Sequence, residues 1–283
     1  MPYIIAACYH FFDFPHFALK QREIKDVFVK NDICGSLLIA AEGFNGTIAG
    51  SREGIDAALA HLRKVVGGPF EVKESVAEKK PFRRTKVRLK KETISIGEPC
   101  PSELVGEYVE PKDWNALIAD PEVILIDARN VYETHLGTFK GAIDPNLRIF
   151  KQLPAYVRKN LADAKQKKIA TFCTGGIRCE KFTAWMRAEG FEKVYHLKGG
   201  ILKYLEEIPE GESKWEGECY VFDHRYAVGH GLAPSKTVTM CYACGQTLTP
   251  EDREHPLYVK DESCQFCAKN MTEKNEVLAS AVK

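Results

Sequence analysis

The segment from Ile169 to Cys179 constrains the fold of this chain more than any other feature. It opens with Ile-Ala-Thr-Phe, a mostly apolar run with the length of a buried strand. Cys173 and the pair Gly175–Gly176 follow, and a helical pattern begins directly afterwards. A strand that leads through a short loop into a helix is the repeating unit of parallel α/β sheets. We therefore predict that this loop lies at the carboxyl edge of such a sheet, where ligands commonly bind.

The whole chain divides into three segments and one linker. Residues 110–210 alternate helices and strands and predict a doubly wound parallel sheet. Residues 1–97 predict a ferredoxin-like α/β domain, and a linker rich in proline and glycine, 98–109, follows it. Residues 211–283 show little regular pattern and form a Cys-rich tail, in which we expect the polar stretch from Thr272 onward to fray.

The N-terminal prediction depends on the order of apolar runs, which reads β-α-β-β-α-β. A helix start is expected at Asp13–Pro15, and a second amphipathic helix runs from Ile55 to Val66 and ends at Gly67–Gly68. The segment 42–46 is rich in turn residues. The predicted strands are Tyr3–Tyr9, Ile33–Ala40, Thr47–Ala49, Phe70–Glu74 and Val87–Leu89.

Composition excludes several classes of protein. The chain has 283 residues, with 40 Lys plus Arg against 39 Asp plus Glu, so its net charge of +1 argues against a uniformly basic polyanion binder. It has no apolar run of about 18 residues, and its start lacks a positively charged n-region. We therefore expect a cytoplasmic protein with no membrane partner. In a reducing compartment, its 10 cysteines are expected to be metal ligands, reactive thiols or small apolar filler.

The loop after the central strand has the chemistry of a reactive cysteine. Gly175 and Gly176 allow the backbone N–H groups to turn inward, and the helix N-terminus and Arg178 add positive charge. These groups are expected to lower the pKa of the Cys173 thiol and keep it ionised at neutral pH. Cys179 is either a resolving thiol for Cys173 or the reactive thiol itself, and we favour Cys173.

Cys-x4-Arg between a strand and a helix resembles the active-site loop of rhodanese domains. Leu125–Glu133 contains a similar Asp-x-Arg-x-x-x-Glu pattern, and Gly137–Ile143 and Tyr195–Gly200 resemble segments that follow it. The resemblance implies a persulfide on Cys173. The loop is one residue shorter than that of related phosphatases, which argues against a phosphatase. Within the acidic pattern, Asp127 and Arg129 form either a structural ion pair or part of the catalytic machinery.

The tail contains two Cys-x2-Cys pairs. Cys241 and Cys244 are separated by nineteen residues from Cys264 and Cys267, a spacing typical of a four-cysteine zinc site. Four thiolates leave no open coordination position, so the zinc would be structural and would stabilise a segment with few apolar residues. The alternatives are unmetallated thiols, a disulfide pair that recycles the active-site thiol, and an iron–sulfur cluster.

A basic stretch interrupts this nearly neutral chain. From Lys79 to Lys91, eight of thirteen residues are Lys or Arg and none is acidic. We predict that Arg83, Arg84 and Lys86 contact RNA phosphates. A solvated charged face is the simpler alternative, and Phe82 within the stretch either stacks on a base or belongs to the core.

The combination of domains is similar to that of the rhodanese-type tRNA uridine hydroxylases. Ala41–Thr47, Val221–Arg225 and Cys241–Gly245 also resemble that family, and the similarity covers nearly the whole chain. It implies oxygen-dependent conversion of the wobble uridine, in the tRNA anticodon loop, to 5-hydroxyuridine. Molecular oxygen is then a co-substrate, and a sulfur or electron donor is a further partner. The residues expected to carry the reaction are Cys173, Arg178 and Cys179, with Thr174, Gly175, Gly176 and Ile177 contacting substrate.

Two other functions remain open at this stage. A rhodanese sulfurtransferase would carry a persulfide on Cys173 and pass its sulfur to an acceptor, and the loop supports this equally well. The basic stretch and the cysteine tail would then need a separate explanation. A binding module without catalytic activity would use the central domain as a scaffold, but the intact Cys-x4-Arg loop argues against it.

Overall fold

The N-terminal part of the computed structural model, which describes residues 2–268, is a five-stranded sheet with two helices on one face. The strand order is β4-β1-β3-β2-β5, in which only β2 and β5 pair in parallel. The predicted β-α-β-β-α-β order is confirmed, and the further strand predicted at Val87–Leu89 is the edge strand β5. The elements are β1 (Tyr3–Phe11), α1 (Phe17–Lys30), β2 (Cys34–Ala40), β3 (Gly43–Gly50), α2 (Arg52–Val66), β4 (Val72–Ala77) and β5 (Thr85–Leu89).

Strand β3 differs from its prediction. It begins at Gly43, so most of the turn-rich segment 42–46 lies within the strand rather than in a turn. The glycines are needed there because a Cβ atom at Gly46 would collide with the carbonyl oxygen of Ser36 on the neighbouring strand. The second helix agrees with its prediction: Gly67, at a φ of 79°, ends it in the left-handed conformation.

The two faces of this sheet have different neighbours. Side chains alternate along β1, so Ala6 packs with the helices, whereas Ile5, Ala7 and Tyr9 lie on the opposite face. Neither of the two helices described within residues 2–97 covers that second face. It is directed toward the central domain and forms one wall of a cavity, described below.

The central domain is built on a parallel sheet, as predicted, and its strand order is β6-β10-β9-β7. The first of these strands, Glu107–Val109, lies in the segment 98–109 that the sequence predicts to be a linker, so that prediction is wrong for these three residues, which pair with β10. Helices α5 and α6 pack on one face and α3 and α7 on the other, so the sheet is doubly wound. Its elements are β6 (Glu107–Val109), α3 (Pro111–Ala119), β7 (Val123–Asp127), α4 (Val131–Thr134), β8 (Gly137–Phe139), α5 (Leu153–Asn160), β9 (Lys168–Phe172), α6 (Ile177–Ala188), β10 (Lys193–Leu197) and α7 (Gly200–Glu207).

The C-terminal segment packs on the central domain. Strand β11 (Trp215–Gly217) pairs antiparallel with β8, and Trp215 enters the core cluster of that domain. Short hairpins follow, namely β12 (Cys219–Tyr220) with β13 (Ala227–Val228) and β14 (Thr239–Met240) with β15 (Thr247–Leu248), and then α8 (Pro250–Glu254). The stretch from Thr272 onward, which we expect to fray, lies outside the described residues. Within residues 2–268, no helix has the length and apolar character that a membrane span requires.

Candidate active site

Cys173 lies in the loop between β9 and α6, where the sequence predicts it. Its side chain is fully buried, and the backbone N–H of Gly176 donates to its Sγ at 3.2 Å. Gly176 has a φ of 98°, a conformation that favours glycine and turns this N–H inward. Gly200 packs so closely that a Cβ there would collide with the carbonyl oxygens of Cys173 and Thr174. The two glycine turns therefore form one packed unit around the thiol.

The electrostatic surroundings favour a thiolate at Cys173. Burial alone would raise the pKa of its thiol, but a hydrogen bond from the Cys179 side chain, the charge of Arg178 and nearby backbone N–H groups lower it to about 5. Burial and the neighbouring Cys173 raise the pKa of Cys179 well above its usual value. These effects favour the thiolate form of Cys173 and the protonated form of Cys179.

Arg178 is anchored by an acidic residue rather than free. Its guanidinium donates to both carboxylate oxygens of Glu133, at 2.5 and 2.6 Å, and both side chains are buried. The hydroxyl of Thr174 donates to the same carboxylate at 2.9 Å. Glu133 is the acidic end of the Asp-x-Arg-x-x-x-Glu pattern. That pattern therefore supplies the residue that orients Arg178 beside the cysteine loop.

Asp127 and Arg129 form a buried ion pair. The Arg129 guanidinium donates to the two Asp127 oxygens at 2.9 and 2.7 Å. It also donates to the carbonyl of Gly137, and the Thr138 hydroxyl donates to Asp127 at 2.8 Å. These bonds connect the end of β7 to β8. The sequence leaves open a structural or a catalytic role for this pair, and the contacts favour the structural one.

A cavity of about 630 Å³ separates the N-terminal sheet from the cysteine loop. Three sequence motifs meet there, although the sequence gives no sign that they are neighbours. The loop lines one side, the open face of the N-terminal sheet lines another, and the segment after β12 lines a third. The motif residues at its wall are Asn45, Gly46, Thr47, Thr174, Gly175, Ile177, Arg178, Val221, Phe222, Asp223 and Arg225.

Two residues of the N-terminal domain reach the cysteine loop or the helix α6 that follows it, and motif analysis misses both. The ammonium of Lys73 donates to the carbonyl of Gly175 at 3.2 Å and also to the carbonyl of Gly199. The hydroxyl of Tyr9 donates to Glu180 of α6 at 2.6 Å. Neither lies in a recognisable pattern, and only the period-two alternation of β1 and β4 could have placed them on this face.

The basic stretch forms β5 and the loop before it. Arg83, Arg84 and Lys86 are exposed, and none of them has an ion-pair partner within residues 2–268. Lys86 is the cross-strand neighbour of Ser36, which lines the cavity, so its side chain lies on the cavity face of the sheet. Phe82 is partly buried and lines the cavity. The basic strand therefore borders the cavity.

The four tail cysteines come together as predicted. The Sγ atoms of Cys241, Cys244, Cys264 and Cys267 all lie within 4.8 Å of one another, and all four are free thiols. A zinc–sulfur bond of about 2.3 Å in a tetrahedron implies sulfur separations of about 3.8 Å. The separations of Cys264 Sγ from those of Cys244 and Cys267 are 3.6 and 3.8 Å, so this group could hold a metal such as zinc.

Two family models match parts of this chain. Residues 3–93 match the UPF0176 acylphosphatase like domain, and residues 110–207 match the rhodanese-like domain. Among solved structures, the rhodanese-like domain of an Anabaena sp. protein aligns with a TM-score of 0.33 and 20% identity, over 39% of this chain and 78% of that one. An acylphosphatase from Coxiella burnetii aligns with a TM-score of 0.24 and 12% identity, over 31% of this chain and 93% of that one.

The similarity to one curated relative extends over nearly the full length. A Rhizobium etli protein named tRNA uridine(34) hydroxylase is 50% identical over 279 residues, which cover 98% of this chain and 90% of that protein. This match spans both domains and the cysteine tail, and it confirms the resemblance that the motifs indicate. The chain therefore belongs to the tRNA uridine(34) hydroxylase family.

Proposed function

We propose that this chain hydroxylates the wobble uridine of tRNA at C5, with molecular oxygen as co-substrate. The observation that carries the proposal is the 50% identity, over 98% of the chain, to a protein named tRNA uridine(34) hydroxylase. The site geometry supports it independently. An ionised cysteine lies beneath a loop that lines a cavity, and an exposed basic strand borders the same cavity.

The cavity has the size and lining that a single nucleoside requires. Its volume of about 630 Å³ lies within the roughly 300–1,000 Å³ of most small-molecule sites. Phe82, Tyr132 and Phe222 line it and offer aromatic faces for a base, and Asn45 offers an amide for the uracil edge. A wobble base in an anticodon loop can turn out of its stack at low cost, so it can enter such a cavity.

The basic strand supplies the affinity for RNA. Arg83, Arg84 and Lys86 carry exposed charges beside the cavity, where they can contact phosphates of the anticodon stem and loop. The chain as a whole has a net charge of only +1, so RNA binding depends on where these charges lie. This arrangement would bring the anticodon loop to the open face of the N-terminal sheet.

The reaction centre is assigned to the Cys173 thiolate. Arg178 and the Cys179 thiol stabilise its negative charge. Thr174, Gly175 and Ile177 line the subsite that receives the substrate, whereas Gly176 lies behind it and donates its backbone N–H to the Cys173 Sγ. In the overall reaction, one oxygen atom of dioxygen enters C5 and the other leaves as water, which requires two electrons and two protons. An external electron or sulfur donor is therefore a partner of the enzyme, which we place in the cytoplasm.

The tail cysteines are assigned to a structural zinc. Bound zinc would stabilise the folded tail. It would have no open coordination position for catalysis, because the four thiolates complete its coordination shell. The residues around the cluster connect it to the site: the ring of His135 hydrogen bonds Asp252 of α8 at 2.7 Å, and the Thr247 hydroxyl donates to the carbonyl of Tyr132 at 3.4 Å. The tail thus packs against α4, which carries Glu133.

Nucleoside mass spectrometry on tRNA from cells that lack the protein tests the proposal. The cells are complemented with the wild type, with Cys173→Ala or with Cys100→Ser, a control thiol outside the site. We expect 5-hydroxyuridine and its derivatives to fall in the deletion, and only wild type and Cys100→Ser to restore them. A fall in a thiolated nucleoside, with 5-hydroxyuridine unchanged, would instead identify a sulfurtransferase that carries a persulfide on Cys173. Because a second pathway can hide the loss, it is deleted in the same cells.

A further inference from the structure

We propose that Lys73, on the N-terminal domain, is a positioning residue for Cys173: its ammonium joins the two glycine turns around the thiol and supplies positive charge to the thiolate. The inference rests on the proposed role of Cys173 in hydroxylation. It also gives the N-terminal domain a part in the chemistry, besides binding RNA.

The contacts of Lys73 place it at the cysteine loop. On β4 it pairs with Ala7 of β1, so its side chain points from the sheet toward the cavity. Its ammonium donates to the carbonyl of Gly175, in the cysteine loop, and to the carbonyl of Gly199, in the turn before α7. One side chain from another domain therefore holds both turns in their relative positions.

The charge of Lys73 is not neutralised by a neighbouring carboxylate. Within the described part of the chain, it forms no ion pair, and its two hydrogen-bond acceptors are neutral carbonyls. The nearby acids are Glu71 and Glu206, and Lys203 is the nearby cation. Burial lowers the pKa of Lys73 to about 8, and the Cys173 thiolate counteracts this effect. At neutral pH the ammonium is mostly protonated and interacts with the thiolate.

Several other groups interact with the Cys173 thiolate, and the contribution of Lys73 is additional to theirs. Arg178 is already paired with Glu133, and the Cys179 thiol donates a hydrogen bond. Lys73 contributes a cation with no competing anion in contact. Replacement of Lys73 by an uncharged residue should therefore raise the pKa of the Cys173 thiol, while the cysteine loop keeps its conformation. The titratable groups that interact with Cys173 are Tyr9, Lys73, Arg178, Cys179 and Glu180.

The test measures the pH dependence of Cys173 alkylation by iodoacetamide in the full-length protein. Trypsin cleaves after Lys168 and Arg178, so the Cys173 peptide separates from the peptide that contains Cys179. The variants are Lys73→Met, Lys73→Arg and the control Lys203→Met, which removes a lysine near the same turn that is paired with Glu110. We expect the midpoint to rise by about one pH unit in Lys73→Met. Lys73→Arg and Lys203→Met should keep the wild-type midpoint.

An unchanged midpoint in a folded Lys73→Met protein would overturn the proposal, and so would an equal rise in Lys73→Arg. Circular dichroism and thermal melting establish the fold, and Lys73→Gln replaces Lys73→Met if the latter does not fold. The measurement needs neither tRNA nor oxygen. Its failure would therefore leave the hydroxylase assignment intact, while failure of that assignment in the nucleoside experiment would leave the Lys73 result standing.

Discussion

Arg178 and Glu133 form a buried, two-point ion pair, with N–O distances of 2.5 and 2.6 Å between residues 45 positions apart in the chain. The pair joins the start of α6, beside Cys173, to the short helix α4. The C-terminal segment also contacts α4 and the residue that follows it, through Tyr132 and His135. The orientation of Arg178 thus depends on contacts from two parts of the chain.

Glu133→Gln should destabilise the protein strongly, because it leaves the buried Arg178 without a counter-ion. We expect a loss of about 3–5 kcal/mol in the free energy of unfolding, measured by urea denaturation. The control Glu110→Gln removes a partly exposed partner of Lys198 and Lys203 and should cost less than about 1 kcal/mol. Equal effects of the two substitutions would contradict the account.

The same pair predicts a pH dependence of stability. Burial alone would raise the pKa of Glu133, but Arg178 outweighs it and holds this pKa below its usual range. A carboxyl with a depressed pKa in the folded state stabilises the protein above its unfolded pKa, about 4.3, and this contribution is lost as the pH falls further. The difference in stability between wild type and Glu133→Gln should therefore shrink below about pH 4. A difference that stays constant to lower pH would refute this assignment.

Cys173 should react faster than Cys179 at neutral pH. Since its pKa is lowered to about 5, its alkylation rate should be nearly constant from pH 6 to 8 and fall as the pH decreases through 5. Cys179→Ala removes a hydrogen-bond donor to the thiolate and should shift this midpoint upward. Peptide mass spectrometry after alkylation measures both rates. Faster labelling of Cys179 in the wild type would make Cys179 the reactive thiol.

Removal of three charges from the basic strand should weaken tRNA binding and its salt dependence together. In an Arg83→Ala, Arg84→Ala, Lys86→Ala variant, the slope of log affinity against log salt should decrease by about 2 to 3, because each phosphate contact contributes about 0.7–0.9. Fluorescence anisotropy across a salt titration measures this slope. A matched control replaces the exposed Arg22, Lys25 and Lys30 of α1, which packs on the opposite face of the sheet. Identical slopes for both variants would exclude the basic strand as the RNA contact.

Loss of tail cysteines should release the metal. The wild-type protein should contain about one zinc per chain, whereas Cys241→Ser with Cys264→Ser should contain almost none, as measured by inductively coupled plasma mass spectrometry. Because the tail has few apolar residues, its cleavage by a protease should then accelerate. Cys100→Ser, which lies outside the cluster, should behave as wild type. Iron in place of zinc would indicate the iron–sulfur alternative.

Local features of the site are predictable from the sequence, and contacts between distant segments are not. The cysteine loop follows from neighbouring residues, because a strand, two glycines and a helix start occur in order between Ile169 and Cys179. The group of four cysteines likewise follows from spacing. The contact between Lys73 and Gly175 joins residues 102 positions apart, and no motif includes Lys73. This contact forms because the two domains pack against each other. The apolar pattern of a single strand does not show which domain packs on the open face of its sheet.

Strand β3 illustrates a second limit. Its glycines suggest a turn when they are considered alone, but they are required because neighbouring backbone approaches too closely for a Cβ atom. The same strand contributes Asn45 and Thr47 to the cavity wall. A segment interpreted locally as a turn is therefore part of the cavity wall, and only strand pairing shows this.

The most direct test of the central claim supplies isotopically heavy dioxygen to living cells and measures the mass of 5-hydroxyuridine in their tRNA. The cells lack other routes to this nucleoside and carry either wild-type protein or Cys173→Ala. The account predicts 5-hydroxyuridine with one heavy oxygen atom in wild-type cells and none in Cys173→Ala cells. Light oxygen in the nucleoside, or an undiminished amount of it in Cys173→Ala cells, would contradict the account.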